Sequence, residues 1–251
     1  PGTVHPKSEI SAELLDHLRY PEDLFKVQRH MLGRYHMTNP DAWYQQSDLW
    51  EVPVDPVKGQ RTAKERPYYL SIKWPGDANP TFSQTSVFVP RLRQNLASYL
   101  AVNADAAHAD YGKLRVLRMS DTHQIDGPGQ TFNAITTDQK VSERLRPFLN
   151  QGSASATYGN LLTLPMGNGL LYVLPIYTER TGNAGSYPAL TFVVVRFGQH
   201  VGIGNTLQEA LDAVFQGDAG GNTGEGTTPP STPTPGGTPT TPAPGGTPTT
   251  G

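Results

Sequence analysis

The chain has no cysteine, which excludes disulfides, thiol nucleophiles and cysteine-ligated zinc. It also lacks a surplus of charge of either sign, because 20 basic residues are balanced by 22 acidic ones, for a net charge of −2. A protein that binds nucleic acid needs a basic surplus to displace counterions from phosphates. The composition therefore predicts no nucleic-acid partner.

Linear catalytic and cofactor-binding motifs are absent as well. The sequence has no HExxH zinc motif, no GxSxG nucleophile motif, no P-loop and no EF-hand loop. We accordingly assign no catalytic residue, no metal ligand and no cofactor. An acid/base pair can still come from separate elements without leaving a linear motif. Enzymatic activity therefore stays open, and a non-enzymatic role is favoured.

Long hydrophobic runs are missing too. The nearest approach is GNLLTLPMGNGLLYVLPIYT (159–178), which Pro165 and Pro175 interrupt. A membrane-spanning helix needs about 20 consecutive apolar residues. Asn168-Gly169 instead predicts a hairpin turn, because both residues tolerate a positive φ. We expect two buried strands around this turn, and a chain that is itself soluble.

What the chain does contain begins with a helical arm. Residues 8–36 show helical apolar periodicity, with Ser8 as the predicted N-cap of a first helix. Pro21 suits the first turn of a second helix, where Glu22 and Asp23 favour the positive helix end. The apolar stripe of this second helix is predicted to consist of Leu24, Val27, Met31 and Tyr35.

Strand patterns begin at Tyr68 and alternate irregularly with helical ones. Asp126–Gly129 is predicted as a loop, Thr137–Arg146 as a helix that is stopped or kinked near Pro147, and Leu207–Phe215 as a last helix. The capping box Thr206-x-x-Glu209 opens that last helix. Strands are predicted at Tyr68–Trp74, Thr85–Val89, Leu96–Val102, Lys113–Met119 and Leu190–Phe197. The irregular order indicates an α+β fold with a largely antiparallel sheet.

Three regions follow from this pattern. Residues 1–52 form a helical arm with an aromatic-rich connection, and residues 53–216 form the α+β domain. Residues 217–251 are dominated by Gly, Pro and Thr, and GGTPTT occurs twice. Such a segment buries too little apolar surface to offset its ordering entropy, so we predict a disordered tail.

Large aromatic residues suggest an interaction surface. Rings in an irregular segment can line a groove for a sugar or a peptide. They can equally seal the helical arm against the sheet domain, and we favour sealing. The candidate residues for this low-specificity surface are Trp43, Tyr44, Trp50, Tyr68 and Tyr69.

Two short patterns place a carboxylate near an imidazole, and one could bind an anion. His108-x-Asp110 and Asp121-x-His123 would each share a face if they lay on a strand. Both lie in predicted loops, so surface roles are favoured. Gly127-Pro128-Gly129-Gln130 could present backbone N–H groups to an anion, but Pro128 removes one of them. A structural turn is the favoured interpretation.

Several segments together resemble one protein family. They are HLRYPEDLFKVQRHMLGRYHM (17–37), RPYYLSIKWPG (66–76), RQNLASYLAVNAD (93–105), YGKLRVL (111–117), GPGQ (127–130), YGNLLTLP (158–165) and GLLYVLPIY (169–177). In this order they resemble the C-terminal extracytoplasmic region of an uncharacterised family of large bacterial, mainly actinobacterial, multi-pass membrane proteins. The chain also begins at Pro1 without a signal-peptide pattern, so we expect a piece of a longer protein or a processed product.

The resemblance implies a location rather than an activity. It implies a full-length protein anchored in the plasma membrane, with this region outside the cytoplasm. The implied partners are the missing transmembrane region of the same protein and other envelope proteins. We therefore expect a non-enzymatic extracytoplasmic domain that mediates protein or envelope interactions. The alternatives are a solute-binding domain of a transport system and a cell-envelope hydrolase with dispersed carboxylates.

Overall fold

The computed structural model describes residue 3 and residues 5–59, 63–120, 122–149, 154–180, 187–217 and 219. Helices within these ranges are α1 (Ala12–His17), α2 (Glu22–Tyr35), α3 (Pro40–Gln45), α4 (Pro128–Thr137), α5 (Gln139–Leu149) and α6 (Leu207–Phe215), with a 3-10 turn at Lys7–Glu9. Strands are β1 (Trp50–Glu51), β2 (Tyr68–Ile72), β3 (Thr81–Pro90), β4 (Ser98–Asn103), β5 (Leu114–Arg118), β6 (Ala154–Tyr158), β7 (Leu162–Met166), β8 (Gly169–Arg180), β9 (Ala189–Phe197) and β10 (His200–Gly204). These elements confirm the α+β class.

The strands form two antiparallel sheets of similar design. In the first sheet, β3 pairs with β4 and β4 with β5, while β1 and β2 share the other edge of β3. In the second sheet, β10, β9 and β8 follow one another, while β6 and β7 share the other edge of β8. Each long strand therefore carries two short partners along a single edge.

The central strands β3, β4, β8 and β9 have buried residues on both faces, which produces a layered molecule. The largest core cluster joins Tyr99 of the first sheet and Tyr172 of the second to Ile135 of α4 and Leu145 of α5. The opposite face of the first sheet packs against α2, and the opposite face of the second sheet packs against α6. The helical arm and the last helix are therefore the two outer layers of the described structure.

The predicted hairpin is confirmed, but its turn lies one residue earlier than expected. Met166 pairs with Gly169, so Gly167 and Asn168 are the two turn residues. Gly167 adopts the positive φ of 56° that this turn needs, and a glycine does so without a steric penalty. Asn168-Gly169 was thus the right signal for a hairpin, placed one position too late.

Three local predictions need correction, and one is confirmed. The first helix is capped by Ser11, whose side chain accepts from the Leu14 N–H, and not by Ser8. The predicted Asp126–Gly129 loop contains the start of α4, because Pro128 occupies its first turn. The next helix, α5, begins at Gln139 and includes Pro147. The Thr206 side chain caps α6 as predicted, accepting from the Glu209 N–H.

Packing explains why α5 tolerates a proline. A proline in a helix removes one backbone hydrogen bond and usually kinks or ends the helix. Val141 and Leu145 are fully buried in the core cluster, so they anchor α5 before Pro147 is reached. Phe148, directly after Pro147, packs against the same cluster, and the helix continues to Leu149.

Two further expectations concern the whole chain. Every helix in the described ranges falls short of the length and apolar character needed to cross a membrane. The tail predicted at 217–251 lies outside the described residues, apart from Gly217 and Ala219. The division at residues 52 and 216 stays a prediction.

Candidate interaction surface

The apolar stripe of α2 faces solvent. An apolar stripe on a surface helix normally faces the core, and the opposite holds here. The exposed fractions are 46% for Leu24, 60% for Val27, 48% for Met31 and 59% for Tyr35. The sequence pattern identifies the stripe correctly, but the stripe is not the buried side of the helix.

The other side of α2 is held firmly against the first sheet. Phe25 is fully buried in a cluster with Trp50 and Phe88. Gly33 lies so close to β1 that an added Cβ would be 2.6 Å from the carbonyl oxygen of Trp50. Arg29 donates from Nη1 to the Glu65 carbonyl oxygen at 3.0 Å and to Ser86 Oγ at 3.2 Å. These contacts fix the rotation of α2 and leave its apolar stripe outside.

Helix α3 extends the exposed apolar stripe. Asn39 caps α3 by accepting from the backbone N–H groups of Asp41 and Ala42. The Trp43 ring, 47% exposed, stacks on Tyr35 with 6.5 Å between ring centroids. We call this surface the apolar face, and it consists of Leu24, Val27, Met31, Tyr35 and Trp43. Tyr44, next along the chain, is 84% exposed.

The five aromatic residues predicted as one surface are divided between the core and solvent. Trp50 is buried, stacks on His36 at 3.7 Å and contacts Phe88 at 5.8 Å between ring centroids. Tyr69 stacks on Phe82 and donates its hydroxyl to the Tyr20 carbonyl oxygen. These rings join the arm to the first sheet, which is the sealing role.

Tyr68 is only partly accessible at the surface. It is half-buried, and burial raises the pKa of its hydroxyl, as does the nearby Glu65. Only Trp43 and Tyr44 of the predicted group remain open to a partner. Participation of these two in an interaction surface stays a prediction.

His108 and Asp110 line one cavity of about 390 Å³, together with Trp74, Asp77 and Arg115. His108 Nδ1 accepts from the Asp110 N–H at 3.0 Å, and the Asp110 carboxylate pairs with Lys113 at 3.3 Å. Arg115 donates to both carboxylate oxygens of Asp77, and these hydrogen bonds hold the pKa of Asp77 below its usual range. The carboxylates of Asp110 and Asp77 are therefore both paired with basic side chains. Asp77 is unsuited to act as a proton donor, because its pKa is lowered.

Neither the second imidazole pair nor the glycine motif is assigned a ligand site from the described residues. Asp121 lies outside the described residues, and His123 contacts the Thr122 hydroxyl at 3.0 Å. Where the structure is described, no group of three or more His, Asp or Glu side chains could hold a metal ion. Gly127 caps α4, and an added Cβ there would be 2.1 Å from the Gln94 carbonyl oxygen. The glycine therefore allows the backbone at the start of α4 to pack closely against the backbone of Gln94.

A buried carboxyl group escaped sequence analysis. Glu65 is 6% exposed, and its Oε2 has no hydrogen-bond partner among the described residues. Its pKa is raised to about 8, mainly by burial and also by nearby Asp55, while Arg29 opposes this shift. Glu65 lies in an irregular segment before β2, where no periodic pattern signals burial.

A groove of about 380 Å³ lies along α2 and β1, and the sequence analysis did not predict it. Its polar lining comes mostly from basic residues. A signal was present in the sequence, because Lys26, His30 and Arg34 recur every four residues and therefore share one side of α2. The groove and the apolar face are neighbours, since Arg34 follows Met31 by three residues.

Comparisons with known proteins place the chain among large relatives. It is similar to a UPF0182 protein of Thermobifida fusca, 52% identical over 218 residues, which are 87% of this chain and 21% of that protein. A UPF0182 protein of Paenarthrobacter aurescens is 45% identical over 93% of this chain and 24% of its own length. A UPF0182 protein of a Nocardioides species is 46% identical over 94% of this chain and 23% of its own length. The chain thus spans about a fifth to a quarter of these relatives.

Two further comparisons complete this result. No solved structure matches the chain. A profile described as "Uncharacterised protein family (UPF0182)" matches residues 1–148. The ordered motifs, the long alignments and this match agree, and the chain belongs to the uncharacterised protein family UPF0182.

Proposed function

We propose that this chain is a non-enzymatic, extracytoplasmic module of a larger membrane-anchored protein and that it acts by docking through its apolar face. The observation that carries this proposal is the exposed stripe on α2, whose opposite side is fixed in the core. Contiguous exposed apolar patches on a folded domain mark interaction sites. Covering these side chains would remove apolar surface from water, which stabilises the docked state.

The proposed occupant of the apolar face is the remainder of the same full-length polypeptide, including its transmembrane region. Relatives of this chain are about four times its length, so a large surface belongs to the same protein. Docking within one polypeptide benefits from a high effective concentration. Other envelope proteins are the second class of partner.

The first test is site-specific photo-crosslinking in the full-length protein. A photoreactive amino acid replaces Val27 or Met31 on the apolar face, and Lys140, exposed on α5, is the control position. We expect crosslinks from positions 27 and 31 to another part of the same polypeptide, mapped by mass spectrometry. A discrete adduct with a separate protein would replace the proposed occupant. Adducts no stronger than at position 140 would overturn docking through this face.

The extracytoplasmic location is supported by the resemblance to multi-pass membrane proteins, and it has its own test. The chain has no cysteine, so Tyr187→Cys at an exposed position introduces a single reporter thiol. In an otherwise cysteine-free full-length protein, we expect a membrane-impermeant maleimide to label this thiol on intact cells. Labelling only after cell lysis would contradict the proposed location.

A further inference from the structure

The groove between α2 and β1 carries an excess of positive charge. Leu49, Trp50, Val52 and Phe88 supply its apolar lining. Glu51 is the one carboxylate among the residues that line it. The basic residues that line it are Lys26, Arg29, His30, Arg34 and Lys64.

Most of these cations lack a strong counterion within the described structure. The side chain of Arg34 makes no ion pair or hydrogen bond with any described residue, and Lys64 reaches Glu51 only at 4.0 Å. Glu51 is shared with Arg91, also at 4.0 Å. Lys26 is the exception, since it pairs with Glu22 at 2.8 Å. The groove therefore has unneutralised positive charge on both of its sides.

Arg29 adds a buried cation to this excess. Its side chain is 9% exposed and borders the groove, and Nη1 donates only to two neutral acceptors, the Glu65 carbonyl and the Ser86 hydroxyl. No described carboxylate lies within 4.0 Å of its guanidinium. The nearby Glu65 carboxyl is largely protonated at neutral pH, because burial raises its pKa to about 8. A buried cation that no carboxylate contacts directly is costly, and a bound anion would remove part of that cost.

The geometry points to an anion-binding site in this groove for a phosphate group. Arginine guanidinium groups bind phosphate oxygens in a bidentate manner, and Arg29 and Arg34 provide two of them. Lys64 and His30 add donors at the rim, and the apolar lining accommodates the organic part of a phosphorylated molecule. The phosphate belongs either to a soluble phosphorylated compound or to the headgroup of an anionic lipid. This site goes beyond the proposed docking function and does not depend on it.

Calorimetric titration of this chain with inorganic pyrophosphate at low salt tests the site. The variant Arg34→Gln/Lys64→Gln removes two groove cations that are exposed or weakly paired, so folding is preserved. We expect it to weaken pyrophosphate binding at least tenfold. Lys140→Gln, which removes an exposed cation from α5, should leave the affinity unchanged. Equal losses in both variants would show only non-specific charge attraction and would overturn the site.

Vesicle sedimentation distinguishes the two sources of phosphate. The chain is mixed with phosphatidylglycerol vesicles or with phosphatidylcholine vesicles at the same lipid concentration. If the wild-type chain binds the anionic vesicles and the double variant does not, the phosphate belongs to a lipid headgroup. Pyrophosphate binding without vesicle binding would identify a soluble phosphorylated compound. If the chain binds neither pyrophosphate nor anionic vesicles, the proposed site is overturned. This holds whatever the crosslinking experiment at the apolar face finds.

Discussion

At the scale of single residues, the buried carboxyl group of Glu65 makes the folding stability depend on pH. Its pKa of about 8 in the folded protein lies well above the value near 4 of an unfolded glutamate. The folded state therefore keeps a proton that the unfolded state releases as the pH rises above about 5. Folding stability from this group is highest at acidic pH and is lost as the pH rises through about 8.

We predict that Glu65→Gln removes this loss of stability. The neutral amide resembles the protonated carboxyl, so the free energy of unfolding of the variant should fall less between pH 5 and pH 9. Urea unfolding at pH 5, 7 and 9 measures the difference. Glu143→Gln on the exposed side of α5 is the control and should keep the wild-type pH dependence. Parallel pH profiles for the wild type and Glu65→Gln would show that Glu65 titrates normally.

Gly33 is the second residue with a defined role. We predict that Gly33→Ala destabilises the fold by about 1–3 kcal/mol, because the new Cβ would meet the Trp50 carbonyl oxygen at 2.6 Å. The gain in helix propensity, about 1 kcal/mol, offsets part of this cost. Gly129→Ala on α4 is the control, since its Cβ would meet only the end of the Gln94 side chain, at 3.1 Å. Equal unfolding free energies for the two variants would contradict the close packing of α2.

At the scale of elements, α2 has two faces with different tasks. Phe25 lies in the core, and Met31 lies on the apolar face. We predict that Phe25→Ala lowers the free energy of unfolding by about 3–5 kcal/mol, because it leaves a cavity. Met31→Gln should change it by only about 0.5 kcal/mol, as is usual for surface positions. Chemical denaturation of both variants checks this contrast, and similar losses would mean that α2 is rotated differently.

At the scale of the whole molecule, stability should decrease from the sheets to the N-terminal arm. Strand β4 is buried along its entire length, whereas α1 contains no buried residue. Amide hydrogen exchange depends on local opening, which needs less free energy where few apolar contacts hold a segment. We predict slow exchange in β4 and β9 and fast exchange in α1, measured by mass spectrometry. Strong protection of α1 in this chain would contradict the expected order.

Local signals explain which elements the sequence predicted well. Helix α6 matches its prediction because Thr206 and Glu209 form a cap that involves only neighbouring residues. The β7–β8 hairpin was recognisable because its turn requires glycine or asparagine. The α+β class followed from the change of apolar period along the chain. Each of these features is determined over a few residues, so no knowledge of distant contacts is needed.

Distant contacts decided the rest, including the candidate sites. Periodicity identified the stripe of α2 but not its orientation, which depends on Phe25 and Gly33 fitting against the first sheet. Nothing local shows that Glu65 is buried or that Arg29 and Lys64 border one groove. Local propensity was enough to predict the fold class, α6 and the β7–β8 hairpin, but it missed α3 and the start of α4. Only tertiary packing decided which apolar face stays exposed and which charges lie together, because these depend on residues far apart in the chain.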